Sequence, residues 1–327
     1  MNGPSINGKT QTTRNLFMVR PAHFGPNAQT AASNAFQRLG EQSSASVESA
    51  ALTEFDGMVR SLRAAGINLI VIDDTETPVK PDAVFPNNWV TTHANGDVFL
   101  FPLEAPNRRA ERRMDIVAAF TAEHGFAVGR VTDLSGHESE DRYLEGTGSM
   151  VLDRIHRVAY ATRSTRTHPE PLRAFALEAG YEACTFDTLD DGGRPIYHTN
   201  VMMAIGERFV VICGAAIADS RQRAAVMQRL AGTGRRIIDI TMEQMAAFAG
   251  NLLEIRRTQD EPLIVLSQTA HNVLTDRQRT LLQDFGKLLP VSIDTIERVG
   301  GGSVRCMLAE IFLPTADALT RDDCHGV

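Results

Sequence analysis

The chain is 327 residues long, 43% apolar and 22% charged, with a net charge of −7 and four cysteines. That length supports a hydrophobic core without disulfides or metal, and the acidic balance excludes a nucleic-acid partner, whose phosphates need a basic face. The cysteines at 184, 213, 306 and 324 form no CxxC pair, and no apolar run approaches the roughly 18 residues of a membrane span, so a reduced, cytoplasmic, membrane-free protein is expected.

Residues 1–15, MNGPSINGKTQTTRN, are polar and are expected to be a disordered lead-in. Leu16 to Val19 reads as a strand ending at Arg20-Pro21. The loop after it, AHFGPN, is weighed as a lid against an ordinary surface loop. Ala51, Leu52, Phe55, Met58, Val59 and Leu62 make one apolar face and predict a helix over 48–65, with NLIVI at 68–72 as a buried strand. VFPNNWVTTHANGDVFLFP reads as a hairpin turning at Asn95-Gly96. Arg108, Arg109, Arg112 and Arg113, interrupted by Glu111 and Asp115, read as a solvated helix face.

The helix, strand and hairpin unit recurs. Helices are predicted over 110–124, 169–179, 220–231 and 275–287, each followed by a strand-like run and, in all but the last unit, a hairpin. The final strand, SVRCMLAEIFL, is expected to pair with the first. One residue at the start of each hairpin, namely Asn88, Glu145, His198, Asn251 and Cys306, marks separations of 57, 53, 53 and 55 residues. A nearly constant period predicts a single α/β domain over 16–316, closed as a pseudo-fivefold ring, followed by a tail at 317–327. A doubly wound sheet is the alternative. In a ring, equivalent positions point into one central cavity, so residues distant in sequence meet there.

Cys306 follows three glycines in GGGSVRCM, where the backbone can approach a ligand closely before a strand delivers the thiol. A free thiol with a pKa near 8.5 needs a cation or base beside it. The competing reading, a buried structural cysteine, is kept for Cys184, Cys213 and Cys324. His198 interrupts the apolar run of IYHTNVMM. Alone it would read as a satisfied core histidine, but its register with Cys306 favours a base. Glu145, in YLEGTGSM, is placed to orient His198 and favour its cationic form, against the plainer reading of an exposed glutamate at a glycine-rich turn. Neither GxxxxGK[ST] nor GxGxxG occurs, and no histidine pair has ligand spacing. No cofactor and no metal are expected.

Together these motifs resemble the guanidino-modifying superfamily of arginine deiminases, dimethylarginine dimethylaminohydrolases and amidinotransferases, from MVRP to the final strand. The resemblance implies the five-bladed α/β-propeller (pentein) fold. It assigns catalysis to Cys306, His198 and Glu145, and substrate binding to Asp82 and Phe85 of PDAVFPNN and to Arg166 of the SxRT stretch, the last gripping an α-carboxylate. A second carboxylate ligand is sought in Arg108 or Arg20. Two positions depart from the deiminase pattern: Asn88 and Asn200 stand where that pattern has aspartates clamping a guanidinium. An ionised carboxylate buried against a neutral ligand costs roughly 3–5 kcal/mol, whereas an amide offers a donor and an acceptor. The pair therefore points toward a ureido substrate, and the chain resembles the branch of citrulline-utilisation hydrolases. The expected reaction takes citrulline to ornithine, carbon dioxide and ammonia. Deimination, dimethylarginine hydrolysis, amidine transfer and a non-catalytic binding role stay open, the partner being a small amino acid and a homodimer being allowed.

Overall fold

The computed structural model describes residues 10–37, 43–257 and 261–316. Within them the strands form five sheets of three strands each. Every sheet is built alike: an antiparallel pair, then a helical crossover, then a third strand parallel to the second. A parallel return needs a crossover of a dozen or more residues, and helices such as Pro169–Ala179 and Ser220–Gly232 provide it.

The run Leu16 to Val19, in the middle strand of its sheet, Asn15–Arg20, is buried on both faces because Leu16 and Met18 enter one apolar cluster and Phe17 and Val19 another. It pairs antiparallel with Ala309–Ile311 and parallel with Asn68–Asp73, so the last strand does join the first. Helix Ser44–Ala64 covers this sheet with the apolar face read from the sequence, burying Ala51, Phe55, Met58, Val59 and Leu62, and Ser43 caps its N-terminus by accepting from the Ser46 N–H. Four apolar clusters fill the spaces among sheets and helices.

Three expectations need correction. Cys306 lies on a helical turn, Val304–Met307, and only Ala309–Ile311 of the expected final strand is strand. The predicted helix 110–124 is shorter: a 3-10 turn, Pro106–Glu111, precedes helix Met114–Ala122 and swings Arg108 into the interior. The lead-in packs from Gln11 onward. Gln11 is buried, and its amide donates to the Leu152 and Ile205 carbonyls, joining two sheets that a sequence pattern would not have linked to it. Residues 1–9 and the expected tail lie outside the described residues.

A short helical turn leads into the first strand of four sheets: Pro86–Asn88, Gly146–Ser149, Thr199–Met202 and Val304–Met307. In the remaining sheet a turn at 247–250 delivers Asn251. The turn Pro86–Asn88 packs on Gly146–Ser149 and on Val304–Met307, and Gly146–Ser149 packs on Thr199–Met202. The five periodic positions are thereby gathered in one place.

Candidate active site

Cys306 is 3% exposed, and its surroundings are set by the glycines before it. A Cβ on Gly300 or Gly302 would come within 2.8 or 2.9 Å of the Phe85 ring, so the pair makes room for that ring against the thiol segment. Gly301 has φ +65, where a side chain is strained, and Asn34 donates to the carbonyls of Gly300 and Gly301. Two amides face the sulfur: Asn200 Nδ2 at 3.4 Å and Asn251 Nδ2 at 3.5 Å. Burial pushes the Cys306 thiol pKa up, against hydrogen bonds from the Ser303 backbone and from Asn251 and Asn200.

His198 caps the turn Thr199–Met202, and its Nε2 lies 2.8 Å from Glu145. Glu145 has no exposed surface. It also accepts from the Glu104 N–H at 3.0 Å and sits 3.4 Å from Arg166 Nη1 and 3.5 Å from Arg108 Nη1. Burial opposes its charge, but Arg166, His198 and Arg108 together hold the carboxyl well below the usual range. The expected pairing of Glu145 with His198 is therefore present, and Glu145 does raise the His198 pKa, but the net shift is downward. Burial is the largest single influence on the His198 pKa, and together with Arg166 and Arg108 it outweighs Glu145 and lowers it. The resting pair is a neutral thiol and a neutral imidazole.

LEGTGS owes its second glycine to this packing. A Cβ on Gly148 would stand 2.5 Å from Asn88 Nδ2 and 2.7 Å from His198 Cε1. Gly148→Ala is expected to displace both side chains, lowering kcat about 100-fold while costing roughly 1–3 kcal/mol of stability. Steady-state kinetics beside a thermal melt check it, and an alanine variant with native kcat would refute the packing.

One pocket collects Asp82, Phe85, Asn88, Arg166, His198 and Cys306. Glu145 lies behind His198. Asn200 touches the sulfur but faces an adjoining polar cavity beside Arg305 and Glu310. Sequence reasoning placed Arg108 on a solvated face, and that is corrected: it is 2% exposed, lines the cavity and is held by Glu111 through two 2.9 Å bonds. Its i,i+3 spacing to Glu111 looks like a surface pair, so only the inward-turning 3-10 segment reveals it. Arg20 is not at the site; it pairs with Asp56 at 2.9 Å. Arg166 already donates to Ser33 and to the Thr30 carbonyl, and Asn27 donates to Asp82 at 2.7 Å. Asn27, the last residue of AHFGPN, and Thr30 and Ser33 just beyond it thus contact the pocket residues Asp82 and Arg166. Asn34, Tyr197 and Asn251 were missed; the first two carried no motif, and Asn251 was a repeat marker without chemistry.

Among the described residues one other group has metal-ligand types, His137, Glu140 and Glu170, but Arg142 pairs with both acids there. No helix among them is long and apolar enough to cross a membrane.

No curated protein matches the chain. Solved structures do match its fold. Cyanobacterial ArgZ, an arginine dihydrolase, aligns with a TM-score of 0.70 at 15% identity over 93% of this chain, and unliganded AgrE with 0.71 at 18% over 93%. This chain spans only 41% and 40% of those two proteins, but 98% of the isolated N-terminal domain of ArgZ. A dimethylarginine dimethylaminohydrolase solved as an adduct with S-methyl-L-thiocitrulline aligns with 0.62 at 14%, over 92% of this chain and 100% of its own. The family model for eukaryotic N,N-dimethylarginine dimethylhydrolase matches residues 20–313. The chain belongs to that family, within the guanidino-modifying pentein superfamily.

Proposed function

We propose that the protein hydrolyses citrulline, or a close ureido compound, to ornithine, carbon dioxide and ammonia through an S-carbamoyl intermediate on Cys306. The observation that carries this reading is the pair of amides, Asn88 and Asn200, set beside the imidazole and the thiol. Asn200 Oδ1 is buried without a hydrogen-bond partner, so an N–H of the substrate is its natural complement. A ureido group supplies that N–H while staying neutral.

In the reaction, Cys306 passes its proton to His198 as the sulfur attacks the ureido carbon. The bond from that carbon to the ornithine nitrogen breaks, and His198 returns the proton to the departing amine. His198 then takes a proton from water as its oxygen adds to the S-carbamoyl carbon; the carbon–sulfur bond breaks, His198 returns the proton to the sulfur, and the released carbamic acid decomposes to carbon dioxide and ammonia. Arg166 and Arg108 hold the α-carboxylate. Asp82, with one buried oxygen unpartnered, takes the α-ammonium. In the same reading the five sheets are blades of a pseudo-fivefold propeller. Residues 16–316 form one catalytic domain, a view supported by the shared order of strands and by the pairing of the last strand with the first.

For ArgZ, a cysteine-to-serine variant has been solved with substrate bound, and an asparagine-to-serine variant covalently bonded to a reaction intermediate. That likeness favours a second reading, in which arginine is also taken through to ornithine. Incubation with citrulline or arginine, followed by amino-acid analysis, separates the two. Ornithine from citrulline alone supports the first reading, ornithine from both supports the second, and citrulline from arginine without ornithine refutes both. The double variant Asn88→Asp with Asn200→Asp is expected to raise KM for citrulline about 100-fold or more, because it buries carboxylates against a neutral group. Unchanged KM would remove the basis for assigning a ureido substrate.

A further inference from the structure

We infer that Asn251 is a catalytic residue of this site, donating an amide N–H to the Cys306 thiolate while fixing the segment that carries it. The inference rests on Cys306 being the nucleophile. Asn251 is fully buried, at a place the chain goes to some trouble to create. Phe248 takes φ +60, and Gly250 presses so closely on the preceding turn that a Cβ there would lie 2.5 Å from the Val201 carbonyl. The side chain so delivered spends every polar atom on the site. Its Oδ1 accepts from the Arg305 N–H at 2.9 Å, its Nδ2 donates to the Asn200 carbonyl at 2.9 Å, and the same nitrogen lies 3.5 Å from the sulfur. One amide therefore spans the two backbone segments that present Cys306 and Asn200.

The charged neighbours leave this work to amides. On the thiol's own segment, Arg305 is tied to Glu310 at 2.8 Å, and Glu297 accepts from Ser303. Across the cavity, Arg108 is flanked by Asp82 and Glu111, Arg166 by Glu104 and Glu145, and His198 faces Glu145. The Tyr197 hydroxyl donates to the Gly301 carbonyl at 2.5 Å. Each of these cations already has a carboxylate, so beside the Ser303 backbone the side-chain donors facing a developing thiolate are the N–H groups of Asn200 and Asn251.

Two variants divide positioning from charge stabilisation. Asn251→Asp keeps an acceptor for the Arg305 N–H but turns a carboxylate oxygen toward the sulfur; Asn251→Ala removes both groups. With the full-length protein, the rate of Cys306 alkylation by iodoacetamide is followed against pH by mass, beside kcat and KM for citrulline and a thermal melt. In Asn251→Asp the alkylation midpoint is expected to move up by about one pH unit or more, and kcat to fall on the order of 100-fold with KM nearly unchanged. Asn251→Ala should shift the midpoint in the same direction by less, and it decides alone if the aspartate variant does not fold. A lower melting temperature with wild-type alkylation midpoint and kcat would make Asn251 merely structural and overturn the inference. Failure of the underlying reading looks different: Cys306→Ser would then retain turnover.

Discussion

Cys306→Ser is expected to lower turnover of citrulline by roughly 10⁴-fold or more while leaving its binding within a few-fold of wild type. The serine fits, since it is smaller than cysteine and keeps a hydroxyl where Asn200 and Asn251 point their N–H groups. What is lost is chemistry. The proton on a hydroxyl is far harder to remove than that on a thiol, and the only base at hand is an imidazole whose own pKa is already lowered by burial. Without attack there is no S-carbamoyl intermediate, so mass spectrometry of the rapidly quenched variant should find no carbamoyl adduct, which would add about 43 Da because a CONH2 group replaces a hydrogen. Calorimetric titration with citrulline measures the retained binding. Turnover within tenfold of wild type would remove Cys306 from the reaction. The other described thiols offer no replacement, since Cys184 lies in a surface groove between a strand and helix Ser220–Gly232, and Cys213 packs beside Met242.

Much of this arrangement was legible in the sequence because it repeats. The period linking Asn88, Glu145, His198, Asn251 and Cys306 held in three dimensions, since each residue precedes a strand of the antiparallel pair of its own sheet. Alternation and helical spacing read the elements well where one face is buried, as in Ser44–Ala64. They failed where four residues make a single helical turn, as around Cys306, because so short a segment has no period to detect. Charge was the other blind spot. Arg108 and Glu111 look solvated in sequence and are buried in the fold, since burial of an ion pair depends on what packs over it. The sign of the His198 shift was unreadable for the same reason: a sequence names the partner Glu145 but not the two guanidiniums behind it.

Those guanidiniums make Glu145→Gln the most informative electrostatic test. The substitution keeps the shape of the side chain and removes its charge, leaving Arg108 and Arg166 with fewer counterions in the interior. Removing one member of a buried pair costs about 3–5 kcal/mol. The low end is expected here, because Arg108 retains Glu111 and Arg166 retains Glu104. The pH dependence follows from the direction of the Glu145 shift. A carboxyl whose folded pKa lies below its unfolded value adds stability that is complete above the unfolded value and disappears as pH falls through the folded one. The difference in melting temperature between wild type and variant should therefore stay constant from neutral pH down to about 4.5 and shrink only below that. A gap that stays unchanged below about pH 4.5 as well would mean the carboxyl titrates normally and is not held by the arginines. Activity should shift as well. Glu145 raises the His198 pKa, so its loss lowers that pKa further and moves the acid limb of kcat/KM, already expected below the ordinary histidine value, to still lower pH. Because the imidazole also loses the acceptor that fixes its ring, kcat should fall about 100-fold at every pH. A fall in kcat without the acid-limb shift would leave Glu145 as an orienting group whose charge His198 does not feel; both together tie the buried arginines, the carboxylate and the imidazole into one electrostatic unit.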